Sequence, residues 1–135
     1  METQNVYSAR LLPKEEYVNA GHLPPLSVRP GEANRFIQAP QGILVGFNEA
    51  AQFLSITQTL EQDEMLLLYS DGVTEAMQRD GAMFGDERLR ELLEGSVIES
   101  ARQVAETVET AVHEFADGFP QSDDLTLLAF RLLPT

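Results

Sequence analysis

Leu66-Leu67-Leu68-Tyr69-Ser70-Asp71-Gly72-Val73-Thr74-Glu75 is the stretch around which the chain is organised. Four apolar or aromatic residues in a row, preceded by charged Glu64 and closed by Asp-Gly, read as a short strand buried on both faces. Asp71 sits at the exit of that strand. Gly72 permits a sharp turn there, so the Asp71 carboxylate can point out of the sheet end instead of into the core.

A second stretch of the same kind lies near the C-terminus. Ser122-Asp123-Asp124 leads into Leu125-Thr126-Leu127-Leu128-Ala129-Phe130-Arg131-Leu132, an apolar strand expected to pair centrally with the first. If the two lie side by side, carboxylates from both meet at one end, and clustered carboxylates repel unless a cation holds them. Oxygen ligands favour Mg²⁺ or Mn²⁺ over Zn²⁺, and the chain has no Cys and only His22 and His113 as softer ligands. Taken alone, Asp71-Gly72 is fully explained as an ordinary turn, and Asp123-Asp124 reads as a solvated strand start.

The order of motifs adds to this. LLLYSDGVTEA, then MFGDERLRELL, then a long amphipathic helix and SDDLTLLAFRL resemble the C-terminal half of the SpoIIE-like, or RsbU-like, bacterial serine phosphatases. These are metal-dependent enzymes of the type 2C class. Tyr17 to Gly31, YVNAGHLPPLSVRPG, resembles the Asn-Ala-Gly-His segment of that family, and the likeness runs from about Val6 to Leu133. It implies an α+β fold, a partial sandwich of antiparallel sheets with flanking helices, two of them near the C-terminus. Residues 1–135 would form a single partial domain, because the earlier Gly-Asp-x-x-Gly-His-Gly motif, whose Asp bridges two metal ions in the family, has no match here.

The resemblance further implies metal ligands at Asp71, Gly72, Asp123 and Asp124, with Mn²⁺ or Mg²⁺ as the cofactor. Of the adjacent pair it favours Asp123, the family's ligand being the first of the two; strand alternation does not choose. The implied activity is dephosphorylation of a serine or threonine on a regulatory protein such as an anti-sigma factor antagonist, weak in this chain alone. No catalytic residue is assigned. The alternative is a non-catalytic interaction module, or a half-domain that dimerises through an exposed sheet face or edge.

A content of 43% apolar and 23% charged residues is that of an ordinary globular chain. A formal charge of -13, from 22 acids against 9 bases, argues against nucleic acid or anionic lipid as partner. No run approaches the roughly 18 apolar residues of a membrane span, and no signal peptide opens the chain, so the expected compartment is the cytoplasm.

Further expectations follow the chain. Val6–Leu12 reads as a strand, turned by Pro13-Lys14-Glu15 into a hairpin partner at Tyr17–Ala20. His22, in the loop that follows, serves either as a phosphate-neighbouring donor at a substrate-binding site or as a ring fixing the loop through a backbone carbonyl. Strands are expected at Leu26–Arg29, Arg35–Gln38 and Phe53–Leu60, while residues 41–47 are either strand or apolar loop. Thr74–Gln78 reads as a helical turn, broken at Arg79-Asp80-Gly81. Asp86 is the expected N-cap of a helix with Leu89, Leu92 and Leu93 on one face; the segment around it either guards substrate access or packs on the sheet. Glu99–Ala116 is the clearest helix, with an apolar stripe, a cap at Ser96 or Ser100, and His113 off the stripe. Six or seven strands are thus expected before two helices and a final strand.

Overall fold

A computed structural model describes residues 14–40, 42–131 and 133. The expected strand at Val6–Leu12 lies outside them. Strands β1 (Lys14–Val18), β2 (Leu26–Val28), β3 (Arg35–Phe36), β4 (Ser55–Thr59) and β5 (Met65–Tyr69) come first. Helices α1 (Asp71–Thr74), α2 (Asp86–Glu94) and α3 (Ala101–Ala116) follow, then β6 (Leu127–Arg131).

All pairings are antiparallel. One sheet has the order β3-β2-β5-β6, the other holds β1 and β4. The fully apolar β5 is central, as its sequence demands, with Leu67 opposite both Leu26 of β2 and Ala129 of β6. β6 is not central: among the described residues it forms the edge of its sheet. Lys14 and Glu15 belong to β1 and are not a turn, and β1 pairs with β4 over Lys14↔Thr59 to Val18↔Ser55.

Alternation along β5 divides the core. Met65, Leu67 and Tyr69 join the larger cluster with Leu89 and Leu93 of α2 and Val104, Val108 and Val112 of α3. Leu66 points the other way, into a smaller cluster with Ile37 and Leu60, against which Tyr17 of β1 and Ile56 of β4 pack. The layers are therefore helices, four-stranded sheet, two-stranded sheet.

α3 begins two residues later than the periodicity suggests. Ser100 is its cap, its hydroxyl accepting from the Gln103 N–H at 3.2 Å, whereas Ser96 donates to the Leu92 carbonyl. His113 is exposed, as its place off the stripe requires. Asp117 takes the left-handed conformation that closes the helix, which Asp tolerates better than most residues.

Two helical expectations are corrected. The helical turn after β5 spans Asp71–Thr74, not Thr74–Gln78; the chain from Thr74 to Gly85 instead folds back on itself, with Met77 bridging Met83 and Gly81 at the tip in a positive-φ conformation. Asp86 is the first residue of α2 and not its cap. The cap is Gly85, at φ 79°, a conformation Asp would adopt only under strain. Residues 42–47 form no strand.

Candidate functional site

The two acidic stretches meet. The β5–β6 ladder ends at Tyr69↔Leu127, and beyond it the Ser70 N–H donates to the Thr126 carbonyl at 3.0 Å. The Ser70 hydroxyl donates to the Asp124 carbonyl at 2.8 Å and accepts from the Thr126 N–H at 3.0 Å. Asp71 starts α1 directly after this clasp, so its acid and the Asp123-Asp124 pair stand on adjoining bends at one end of the sheet.

Gly72 is buried against the partner bend. A Cβ built there would lie 2.8 Å from the Asp124 carbonyl carbon and 3.3 Å from the Asp123 oxygen. Its φ is not positive, so the glycine is required for space and not, as its sequence context suggests, for a turn. Asp71, Asp123 and Asp124 are all exposed, and the Asp123 Oδ1 accepts the Asp124 N–H at 2.7 Å.

These are hard oxygen donors of the kind divalent cations take. They do not make a closed site: among the described residues, no group of three or more His, Cys, Asp or Glu side chains is placed to hold a metal ion. The donor chemistry fits Mn²⁺ or Mg²⁺, and the donor number is that of an open, incomplete site.

Next to the acids, Tyr69 is buried and its hydroxyl donates to the Asp86 Oδ1 at 3.3 Å. Burial first, and then the Asp86 charge, push its phenol well above the usual tyrosine range. This link between β5 and the start of α2 is not visible in the sequence, where Tyr69 reads only as a strand residue.

His22 lies in a different loop. Buried Asn19 organises that loop: its Oδ1 accepts the Gly21 and His22 N–H groups, and its Nδ2 donates to the His22 carbonyl at 2.8 Å. The His22 ring is exposed, with Nδ1 2.9 Å from the Leu23 carbonyl, so the hydrogen bonds of His22 stay within its own loop. Asn19 carries the conformation, and the Asn-x-Gly spacing was the sequence signal for it.

Sequence reading also missed Glu64. It is 1% exposed, its carboxylate accepting the Ser27 hydroxyl and, at 2.6 Å, the Glu61 N–H. Among the described residues no helix is long and apolar enough to cross a membrane.

Comparison with known proteins gives a consistent answer. The model of the family described as Stage II sporulation protein E (SpoIIE) matches residues 13–133. Phosphoserine phosphatase RsbU of Bacillus subtilis is 27% identical over 115 residues, covering 85% of this chain and 34% of RsbU. The Mn-presoaked phosphatase domain of SpoIIE from Bacillus subtilis superposes with a TM-score of 0.69 at 16% identity, over 90% of this chain and 52% of that one. For the SiaA-PP2C domain of Pseudomonas aeruginosa the TM-score is 0.72 at 22% identity, over 89% of this chain and 47% of that domain. The chain thus spans about a third of RsbU and about half of the solved phosphatase domains.

Proposed function

This chain belongs to the SpoIIE family, and from that premise we propose that it is a segment of a metal-dependent protein serine/threonine phosphatase, contributing Asp71 and Asp123 to a divalent-metal site. The observation that supports this most directly is the clasp between the Asp71 turn and the Asp123-Asp124 bend. The Gly72 backbone lies beside it and belongs to the same set of ligands, with Asp124 the lesser candidate of the acidic pair. Mn²⁺ or Mg²⁺ bound there would acidify a coordinated water and neutralise phosphate oxygens. His22 is the proposed contact for the substrate phosphate.

The proposed substrate is a phosphorylated regulatory protein, such as an anti-sigma factor antagonist, in the cytoplasm. Two carboxylates rarely hold a dinuclear centre, so the chain by itself is expected to bind metal weakly and turn over a phenyl phosphate ester poorly.

The test is isothermal titration of Mn²⁺ into the chain beside Asp71→Asn and Asp123→Asn. Weak binding that is lost in both variants is the expected result. No binding by the unsubstituted chain would overturn the reading, and robust ester hydrolysis with Mn²⁺ would overturn the expectation of a weak site.

A second reading is a half-domain that dimerises. It is favoured by the exposure of Leu44 (60%), Val45 (77%), Phe47 (75%) and Leu54 (61%), large apolar side chains gathered in the β3–β4 connection and its end. Sedimentation equilibrium showing a monomer would remove it; a dimer dispersed by Phe47→Ser would favour it.

A further inference from the structure

We infer that Ser70 is a positioning residue whose hydroxyl holds the Asp123-Asp124 bend in register with Asp71; the consequence for metal binding rests on the reading of those acids as ligands. Ser70 occupies the N-cap of α1, with φ −83° and ψ 165°. A serine there ordinarily turns its oxygen onto an N–H two or three residues further along its own helix. Ser70 makes no such bond. Its hydroxyl reaches across to the other acidic stretch, giving its one proton to the Asp124 carbonyl and taking the Thr126 N–H.

The consequence is geometric. Past Tyr69↔Leu127 the two strands no longer pair, and both chains turn away. The hydroxyl supplies two further cross-links at that point, beyond the backbone bond from the Ser70 N–H to Thr126. All three act on backbone atoms. The bend is thereby fixed while the carboxylates of Asp71 and Asp123 remain clear of the serine. The bend in turn sets Asp123, whose Oδ1 is anchored by the Asp124 N–H. Partners that hold metal ligands directly alter affinity by about 10- to 100-fold when removed. Ser70 acts one step further out, through the backbone that carries Asp123, which places its effect at the low end of that range.

The experiment pairs Ser70→Ala with Ser70→Thr, reading Mn²⁺ affinity by titration and amide hydrogen exchange in the metal-free chain. Threonine keeps the hydroxyl and accepts the extended backbone at this position. Expected are an affinity loss of about tenfold in Ser70→Ala, its recovery in Ser70→Thr, and faster exchange of the Thr126 N–H with the β6 amides unchanged. Unaltered affinity in Ser70→Ala, a loss that threonine does not restore, or a uniform rise in exchange along β6 would overturn the inference. If the unsubstituted chain takes no Mn²⁺, the metal reading fails separately. Exchange then decides the positioning role: acceleration confined to Thr126 and its neighbours sustains it, and no acceleration overturns it.

Discussion

Replacing Gly72 with alanine sets two effects of opposite sign against each other. Gly72 lies within a helical turn at an ordinary φ, and by backbone preference alone alanine would stabilise it by about 0.5–1 kcal/mol. The structure demands the reverse. The new Cβ would stand 2.8 Å from the Asp124 carbonyl carbon, inside the 3.0 Å that real Cβ atoms essentially never breach, and the obstacle is backbone. Separating the bends breaks the two Ser70 hydroxyl bonds, worth about 1 kcal/mol each, and overpacking strain adds about 1–3 kcal/mol. The net expectation is a loss of at least about 2 kcal/mol, a fall in Tm of roughly 8 °C. Urea unfolding and calorimetry of the variant beside the parent chain measure it. A Tm equal to or above that of the parent would refute the close approach of the two bends, and with it the geometry of the candidate site.

Other substitutions probe the remaining anchors. Ser27→Ala removes a buried donor to the Glu64 carboxylate and should lower stability by about 1–3 kcal/mol in urea titrations. Ser100→Ala removes the α3 cap and should cost about 1 kcal/mol, with faster amide exchange confined to the first turn of the helix. The raised Tyr69 phenol gives a pH dependence. The folded state keeps its proton where the unfolded chain, at the ordinary value of 10.0, has lost it, so this contribution is intact below that pH and declines above it. The limiting slope is about 1.4 kcal/mol per pH unit, and Tyr69→Phe should remove it from urea midpoints measured between pH 8.5 and 11.

The residues that were legible are those whose surroundings are local or uniformly apolar. A continuous apolar run such as Leu66–Tyr69 has few environments open to it except a sheet covered on both sides, and the α3 stripe must face that sheet. The pairing of the two strands, and hence the apposition of their acids, followed from this. What failed depended on distant contacts. Glu64 looks like a solvated residue at a strand start, because the Ser27 hydroxyl that satisfies it lies 37 positions away. Gly72 looks like a turn glycine because the carbonyl it must clear belongs to the other end of the chain. Asp86 has the chemistry of a cap, but the turn into α2 needs a positive φ, and the neighbouring glycine takes that position. The hairpin expected between Val6–Leu12 and Tyr17–Ala20 involves residues outside the described ones. Among those described, β1 pairs with β4, some forty positions on, a contact that adjacency in sequence does not suggest.

The uniform character of β5 carries a cost in information. Where hydrophobic and polar residues alternate, a strand displaced by one position exposes its apolar set, and the pattern itself forbids the slip. In Met65–Tyr69 every position is apolar or aromatic, and a shift by one would still bury oily groups on both faces. Alignment of this strand is therefore written at its two ends. Glu64, held by Ser27 and the Glu61 N–H, pins the entrance, and Ser70, held by Asp124 and Thr126, pins the exit. The polar residues bracketing the most hydrophobic segment thus act as the index marks of the sheet, and the acidic end of the molecule inherits its alignment from them.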